Sequence, residues 1–406
     1  MSLVVRIFFH AARLPVALGM RLCGFRPRKK TILIIPDFGE FGGARTHFKS
    51  LVRFYRDEGY SINAGIERDL LDRDMQEFLD SMDVQYSLID LRMNSFSQRK
   101  LNTLWVYLQR LLSAASLLVR FQSSVLVITT ARFIYLSAFV LPVPILFVLH
   151  AYPTSRLNAL DQGILLSGAG RRRRVMTVSQ FAVDAVKRYW MNNGPKSQFV
   201  DRLFPVQASW FEPEPEVAKP RNCVLTLGHV AWTKNPEIWM EVARKVLAEI
   251  PGIIFRWVGG GYMTDEHLER CRAAALDEPR IEFAGYHPAP ASFYSECLVY
   301  FQPSKIESYG LSVAEAMRKK IPCVVTKVGG LSELVEDGQT GFVCAEDDAD
   351  AMAAAIIRLL RNDEARVSMG EEAGLRFERL FSLSLWKQEM KRVHRDLLDE
   401  AAVRAA

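Results

Sequence analysis

Glu307, Gly310 and Glu315 are spaced so that they could do chemistry together, as a Glu-x7-Glu pair around a Ser-Tyr-Gly turn within the stretch Phe301–Ala345. The turn reads as the opening of a helix. The peptide N–H groups of Tyr309, Gly310 and Leu311 would then be unpaired donors at the positive end of the helix dipole. Such a place suits an anion, a phosphate above all, and Gly310 lets the backbone approach it closely. Glu315, one turn on, could accept hydrogen bonds from vicinal hydroxyls, as an acidic residue does for a ribose in dinucleotide folds. The same residues also read as a capping box, Ser312-x-x-Glu315, which needs no ligand.

The elements around these residues belong to an α/β chain. Cys323-Val324-Val325 is a buried apolar strand, followed by a Gly329-Gly330 turn and a further helix start. Upstream, Cys223–Leu227 reads as a strand, Gly228–Asn235 as a loop and Pro236–Ile250 as a helix with proline in its first turn. Ile253–Val258, Ile281–Ala284 and Leu298–Phe301 continue the alternation of a parallel sheet. Ala349–Arg361 and Leu385–Leu398 close the pattern as helices, the last with Trp386, Met390, Val393 and Leu397 along one face.

The first half repeats the theme. Thr31–Ile35 is a continuous apolar strand that ends in a glycine-rich loop, Asp37 to Gly43, and a helix follows from about Ala44 to Gly59. Between Ser61 and Leu91 the pattern gives strand, helix and strand. In the apolar region 101–149, Pro142 and Pro144 divide the last uncharged run into a helix and a strand Ile145–Leu149, which argues against a membrane span. His150 follows that strand, at the edge where sheet enzymes gather reactive groups. Arg171–Arg174 read as a solvated turn before the strand Val175–Ser179, with lipid headgroups as the alternative contact. Residues 1–27 mix Arg6, Arg13 and Arg21 into an apolar segment: either a basic amphipathic helix on a membrane surface or a helix packed on its own domain. Prolines 205, 213, 215 and 220 mark a linker.

Composition narrows the class. At 406 residues and 49% hydrophobic content the chain can fill two cores, and six cysteines without a C-x-x-C pair read as reduced core thiols of a cytosolic compartment. A net charge of +6 suits anionic partners, but nothing in the sequence has the signature of a nucleic-acid binder. Asp72-Arg73-Asp74 and Asp348-Ala349-Asp350 have a spacing that could hold a divalent metal; both lie in charged segments and read as solvated surface, so no metal ligand is expected.

The order Pro303-Ser304, Glu307, Gly310, Glu315-Ala316-Met317, Pro322, Gly329-Gly330, Glu333, Asp337-Gly338, Thr340-Gly341 resembles the donor-binding segment of the family-4 retaining glycosyltransferases. That resemblance implies two facing Rossmann-like domains (the GT-B architecture) and transfer of a sugar from a nucleotide-diphosphate sugar with retained anomeric configuration. It implies that Glu307 holds hydroxyls of the transferred sugar and Glu315 the ribose. Lys234 resembles the family's diphosphate-binding lysine, His229 stands where an arginine is usual, and Gly42-Gly43-Ala44-Arg45-Thr46-His47 resembles the loop that approaches donor phosphate and acceptor. His150 resembles the acceptor-side histidine, and the last helix is implied to return to the first domain. The family's Asn-Gly near the hinge is missing here. The expected division is a basic segment 1–27, an acceptor-side domain 28–205, a linker 206–220, a nucleotide-sugar domain 221–383 and a helix 384–400. The expected setting is cell-surface polysaccharide or glycolipid synthesis on a glycan or lipid-linked acceptor, peripherally at the inner face of the cell membrane, without a metal or other cofactor. A non-catalytic sugar-nucleotide-binding subunit and a nucleotide-sugar epimerase of the same fold are the alternatives.

Overall fold

Strands that are apolar throughout, rather than on alternate positions, need cover on both faces, and the computed structural model has two sheets of this kind. It describes residues 13–37, 43–89, 100–130, 138–157, 159–170, 172–211, 222–261, 264–287 and 289–402. The chain divides into two units, Met1–Phe211 with Trp386–Ala406, and Glu212–Leu385.

The first unit opens with a helix α1 over 13–22, then β1 (Thr31–Asp37), α2 (Gly43–Asp57), β2 (Ser61–Glu67), α3 (Arg73–Ser81), β3 (Gln85–Ile89) and α4 (Lys100–Phe121). It continues with β4 (Val125–Thr130), β5 (Ile145–Leu149), α5 (Ala159–Gly168), β6 (Arg173–Thr177), α6 (Gln180–Ala185) and β7 (Val200–Arg202). Its seven strands run parallel in the order β3-β2-β1-β4-β5-β6-β7. The order reverses between β1 and β4, which pair from Ile32↔Val125 to Asp37↔Thr130, and sheets of this kind bind ligands beyond the carboxyl ends at such a reversal. Leu33, Ile35, Leu126, Ile128, Phe139 and Phe147 are wholly buried in the core on one face.

The second unit holds β8 (Cys223–Leu227), α7 (Pro236–Glu249), β9 (Ile254–Val258), α8 (Glu266–Ala274), β10 (Ile281–Gly285) and β11 (Cys297–Gln302). After these come α9 (Leu311–Arg318), β12 (Cys323–Thr326), α10 (Leu331–Leu334), β13 (Gly341–Cys344), α11 (Ala349–Arg361) and α12 (Asp363–Phe381). Six parallel strands run β10-β9-β8-β11-β12-β13, and the reversal falls between β8 and β11. Trp239, Phe255, Trp257 and Phe283 interlock in its core, with ring centroids 5.2–6.0 Å apart. The last helix, α13 (Leu383–Ala402), belongs to the first unit from Trp386 onward.

Several local expectations change. Arg173 and Arg174 are not a solvated turn: Arg173 donates to the carbonyls of Phe139 and Leu141 at 2.6 Å, and Arg174 pairs with Asp201 at 2.6 Å. Burial, with Arg13 and Arg172 nearby, pushes the Arg173 guanidinium down to about 9. Asp72 is not free surface either, since it caps α3 through Met75 N–H and pairs with the buried Arg45, whose guanidinium also reaches Asp74 at 2.9 Å. Asp348 caps α11 through Ala351 N–H at 2.9 Å. Cys23 is exposed, whereas Cys223, Cys271, Cys297 and Cys323 are buried thiols. Within the segment read as a linker, Trp210 is buried and Ser50 Oγ donates to the Val206 carbonyl at 2.8 Å. Among the described residues no helix is long and apolar enough to cross a membrane.

Candidate functional site

The reversal of strand order between β8 and β11 brings two loops side by side at the carboxyl edge of the second sheet. One runs from Gly228 to Asn235 and carries His229 and Lys234; the other runs from Pro303 to Gly310 and carries Glu307. Backbone bonds tie them together: the N–H groups of Lys305 and Ile306 both donate to the Thr233 carbonyl, at 2.9 and 3.2 Å. The first loop is also anchored to the strand beside it, through Val230 N–H on the Gly260 carbonyl at 2.9 Å and Trp257 Nε1 on the Gly228 carbonyl at 2.8 Å.

This register places the Lys234 ammonium on Glu307 Oε2, with side chains 22% and 15% exposed. Glu307 Oε1 also accepts from the Ser308 N–H at 3.1 Å, and Gln302 Nε2 donates to Oε2 at 2.9 Å. The pair is enclosed enough for its charges to matter and open enough for a ligand to reach them.

The glycines hold this loop in shape. Gly329 has φ +50, and a Cβ there would lie 1.7 Å from the Glu307 carbonyl oxygen, while one on Gly330 would lie 2.7 Å from the Ser308 carbonyl oxygen. No side chain fits between these backbones. Gly310, at φ 100, turns the chain into α9 as its N-cap, so Leu311, Ser312 and Val313 present the helix's first N–H groups.

The capping box read from the sequence does not form, because Ser312 lies inside the helix and Gly310 takes the cap position. Ser312 Oγ instead donates to Gln302 Oε1 at 3.1 Å. Glu315 is reached by the hydroxyl of the buried Tyr294, 2.9 Å from its Oε2 and 2.7 Å from the Ser312 carbonyl. Tyr309 is itself buried, its ring 6.2 Å from Phe381. Lys234, Glu307, Gly310 and Leu311 therefore converge on one sheet edge, with Glu315 one turn along α9.

On the first unit, Gly43 opens α2, while Gly42 lies outside the described residues. His150 follows β5 and meets the ring of His47 edge to face at 5.2 Å. Among the described residues, His47 Nδ1, His47 Nε2 and His150 Nε2 have no hydrogen-bond partner. Burial pushes the His150 imidazole down to about 4 and holds that of His47 well below its usual value, so both rings are neutral at pH 7. Gln302 and Tyr294 escaped the reading of the sequence, and His47 entered it only as the end of the stretch Gly42–His47. The signal for Gln302 was present, as the one amide at the end of the otherwise apolar run Cys297–Gln302.

Residues 209–376 match the family model described as "Glycosyl transferases group 1". A lipopolysaccharide core biosynthesis mannosyltransferase of Rhizobium leguminosarum bv. viciae is 28% identical over 188 residues, 44% of this chain and 52% of that protein. In other curated relatives the matched stretch spans 31%, 25% and 46% of their length. Among solved structures, a glycosyltransferase from Rickettsia africae superposes with a TM-score of 0.74 at 16% identity, covering 91% of this chain and 99% of that one. Anabaena HepE, solved with UDP and glucose, gives 0.69 at 17% identity over 89% and 98%. These likenesses establish two parallel-sheet α/β units of the kind found in GT-B glycosyltransferases. The match to the group 1 glycosyl transferase model falls almost wholly within the second unit, Glu212–Leu385.

Proposed function

We propose that the chain transfers a sugar from a nucleotide-diphosphate sugar to a glycan or lipid-linked acceptor, with retention at the anomeric carbon. The observation that carries this is the meeting of Lys234 and Glu307 at the switch point of the second sheet, beside the open N-terminus of α9. A departing diphosphate accumulates negative charge, and a fixed ammonium with helix N–H groups stabilises that charge without reorganising. In this reading Lys234 turns to the diphosphate and Glu307, held by Gln302 and Ser308, keeps its carboxylate for sugar hydroxyls. Glu315 takes the ribose, and His229 offers one further N–H. The bond from the anomeric carbon to the diphosphate oxygen breaks as the acceptor oxygen attacks the same face, and the acceptor proton leaves with the diphosphate. The neutral His150 is assigned to the acceptor side.

Nucleoside diphosphate release would be screened across UDP- and GDP-sugars, with and without membrane lipid extract. Release that depends on the extract supports transfer. Interconversion of donor sugars without release would favour the epimerase, and binding without either would favour the non-catalytic subunit.

A lipid-surface setting is favoured by α1. Val16 and Met20 pack into the first core, while Leu14, Leu18 and Leu22, spaced four apart, are 77, 56 and 80% exposed. Arg21, Arg26, Arg28, Lys29 and Lys30 are exposed beside them. An apolar stripe flanked by cations suits an anionic bilayer surface. Because Met20 and Phe25 are core residues, deleting 1–27 would also disturb the unit. Replacing the three leucines by serine is the cleaner test, and flotation with anionic vesicles equal to wild type would overturn this setting.

A further inference from the structure

We propose that Gln302 is a positioning residue that locks the Glu307 carboxylate and ties it to the helix carrying Glu315; the proposal rests on the nucleotide-sugar reading of this site. Gln302 is 1% exposed, and all four of its hydrogen-bonding positions are used. Nε2 donates to Glu307 Oε2 at 2.9 Å and to Ser304 Oγ at 3.2 Å. Oε1 accepts from the Tyr300 hydroxyl at 2.9 Å and from Ser312 Oγ at 3.1 Å. Tyr300 is in turn held by Leu227 N–H, which donates to its hydroxyl at 3.1 Å.

The amide can point only one way. A carboxylate only accepts, so the NH2 must face Glu307, and the carbonyl must then face the two hydroxyls. A chain of hydrogen bonds therefore runs from the end of β8 through Tyr300 and Gln302 to Glu307, with a branch through Ser312 into α9. Every member is satisfied, which is the condition under which a buried polar network rigidifies rather than weakens a core. Gln302 lies on the second sheet's central strand, behind the Lys234–Glu307 pair, so it acts through Glu307 rather than on a substrate. Without it, Glu307 would keep Lys234 as its side-chain partner, and that partner is needed by the leaving diphosphate.

The test uses Gln302→Leu, similar in size but without hydrogen bonds, and Gln302→Glu. Affinities for UDP, GDP, UDP-glucose and GDP-mannose would be measured by calorimetry, with turnover across pH. In the leucine variant, nucleoside diphosphate affinity should stay within about twofold, while kcat falls about tenfold or more, as expected for a misplaced rather than missing group. In the glutamate variant, the protonated acid can still donate to Glu307 and accept from Tyr300. Its turnover relative to wild type should be highest at low pH and fall as the new carboxyl ionises against Glu307. A leucine variant with wild-type kcat, or with kcat and diphosphate affinity falling in step, would overturn the proposal. If wild type binds none of the four probes, the nucleotide-sugar reading fails, and crystal structures of the leucine variant still decide the positioning role. A Glu307 carboxylate within about 0.5 Å of its wild-type place overturns that role, and a larger displacement supports it.

Discussion

The hydroxyl of Tyr294 lies 2.9 Å from Glu315 Oε2 and 2.7 Å from the Ser312 carbonyl, fully buried under the start of α9. One proton is shared between a side chain proposed to bind ribose and the backbone beside it. Tyr294→Phe should therefore raise the dissociation constant for the nucleotide several-fold, because Glu315 loses the donor that aims it, while Glu315→Ala should raise it further. A hydrogen bond to a charged group contributes about 1.5–3 kcal/mol, which bounds the tyrosine change from above. Calorimetry with the nucleotide that binds best would show it; equal affinity in wild type and both variants would leave Glu315 without a ligand role.

Gly329→Ala should be severe for so small a change. The Cβ would sit 1.7 Å from the Glu307 carbonyl oxygen at a left-handed φ, so the loop carrying Glu307 must move. A cost of about 1–3 kcal/mol in strain is expected, with loss of donor turnover exceeding the loss of thermal stability. Gly338→Ala provides the comparison, since its φ is also positive but nothing lies within 4 Å of the added Cβ. Similar turnover in the two variants would refute this account of the Gly329-Gly330 turn.

How much of this the sequence revealed differs between the two kinds of contact. β5, β8 and α11 have the bounds that their apolar runs suggest, because a strand buried on both faces or an apolar helix stripe leaves a local record. β13 and the three-residue β7 leave almost none, being short and set by their neighbours. The Lys234–Glu307 pair joins residues 73 apart, and no periodicity predicts which charged side chains two loops will bring together. The Ser312-x-x-Glu315 spacing misled in the other direction: a capping motif one residue inside a helix whose cap is Gly310 spends its polar groups on Gln302 and Tyr294 instead.

Turnover should persist in a chelator, since Lys234 and the N-terminus of α9 supply positive charge beside the proposed diphosphate position. Complete loss of product formation in chelator, restored by magnesium or manganese, would show that this charge is insufficient.

The place of His229 gives a pH-resolved expectation. A neutral histidine offers one N–H where an arginine would offer a permanent charge and a two-pronged donor. His229→Arg should keep or raise turnover at alkaline pH and His229→Ala should lower it. Superimposable profiles of all three proteins would exclude a phosphate contact.

The stability of the first unit should depend on pH through three histidines. Burial holds His150 and His394 down to about 4, and His47 well below its usual value. The unfolded chain takes up these protons near pH 6.5, so it binds more protons than the folded chain between there and pH 4. Their stabilising contribution is complete above pH 6.5 and is lost as pH falls towards 4, at about 1.4 kcal/mol per unit for each ring. Urea unfolding at pH 7.5 and pH 5 should show His47→Phe losing less stability on acidification than wild type. An identical loss would mean that His47 protonates without disturbing the fold.

Trp386 packs its ring against His47 and Phe54, at 5.9 and 5.5 Å, and Lys387 reaches Asp57 at 3.1 Å. The helix that completes the first unit is thus made only after the whole of the second unit. During synthesis the second unit, an uninterrupted stretch, can close as soon as it leaves the ribosome, while the sheet that began first waits with one side of α2 uncovered. A ribosome stalled before Trp386 would carry a finished second unit attached to an unfinished first one, whose apolar helix face is then available to chaperones.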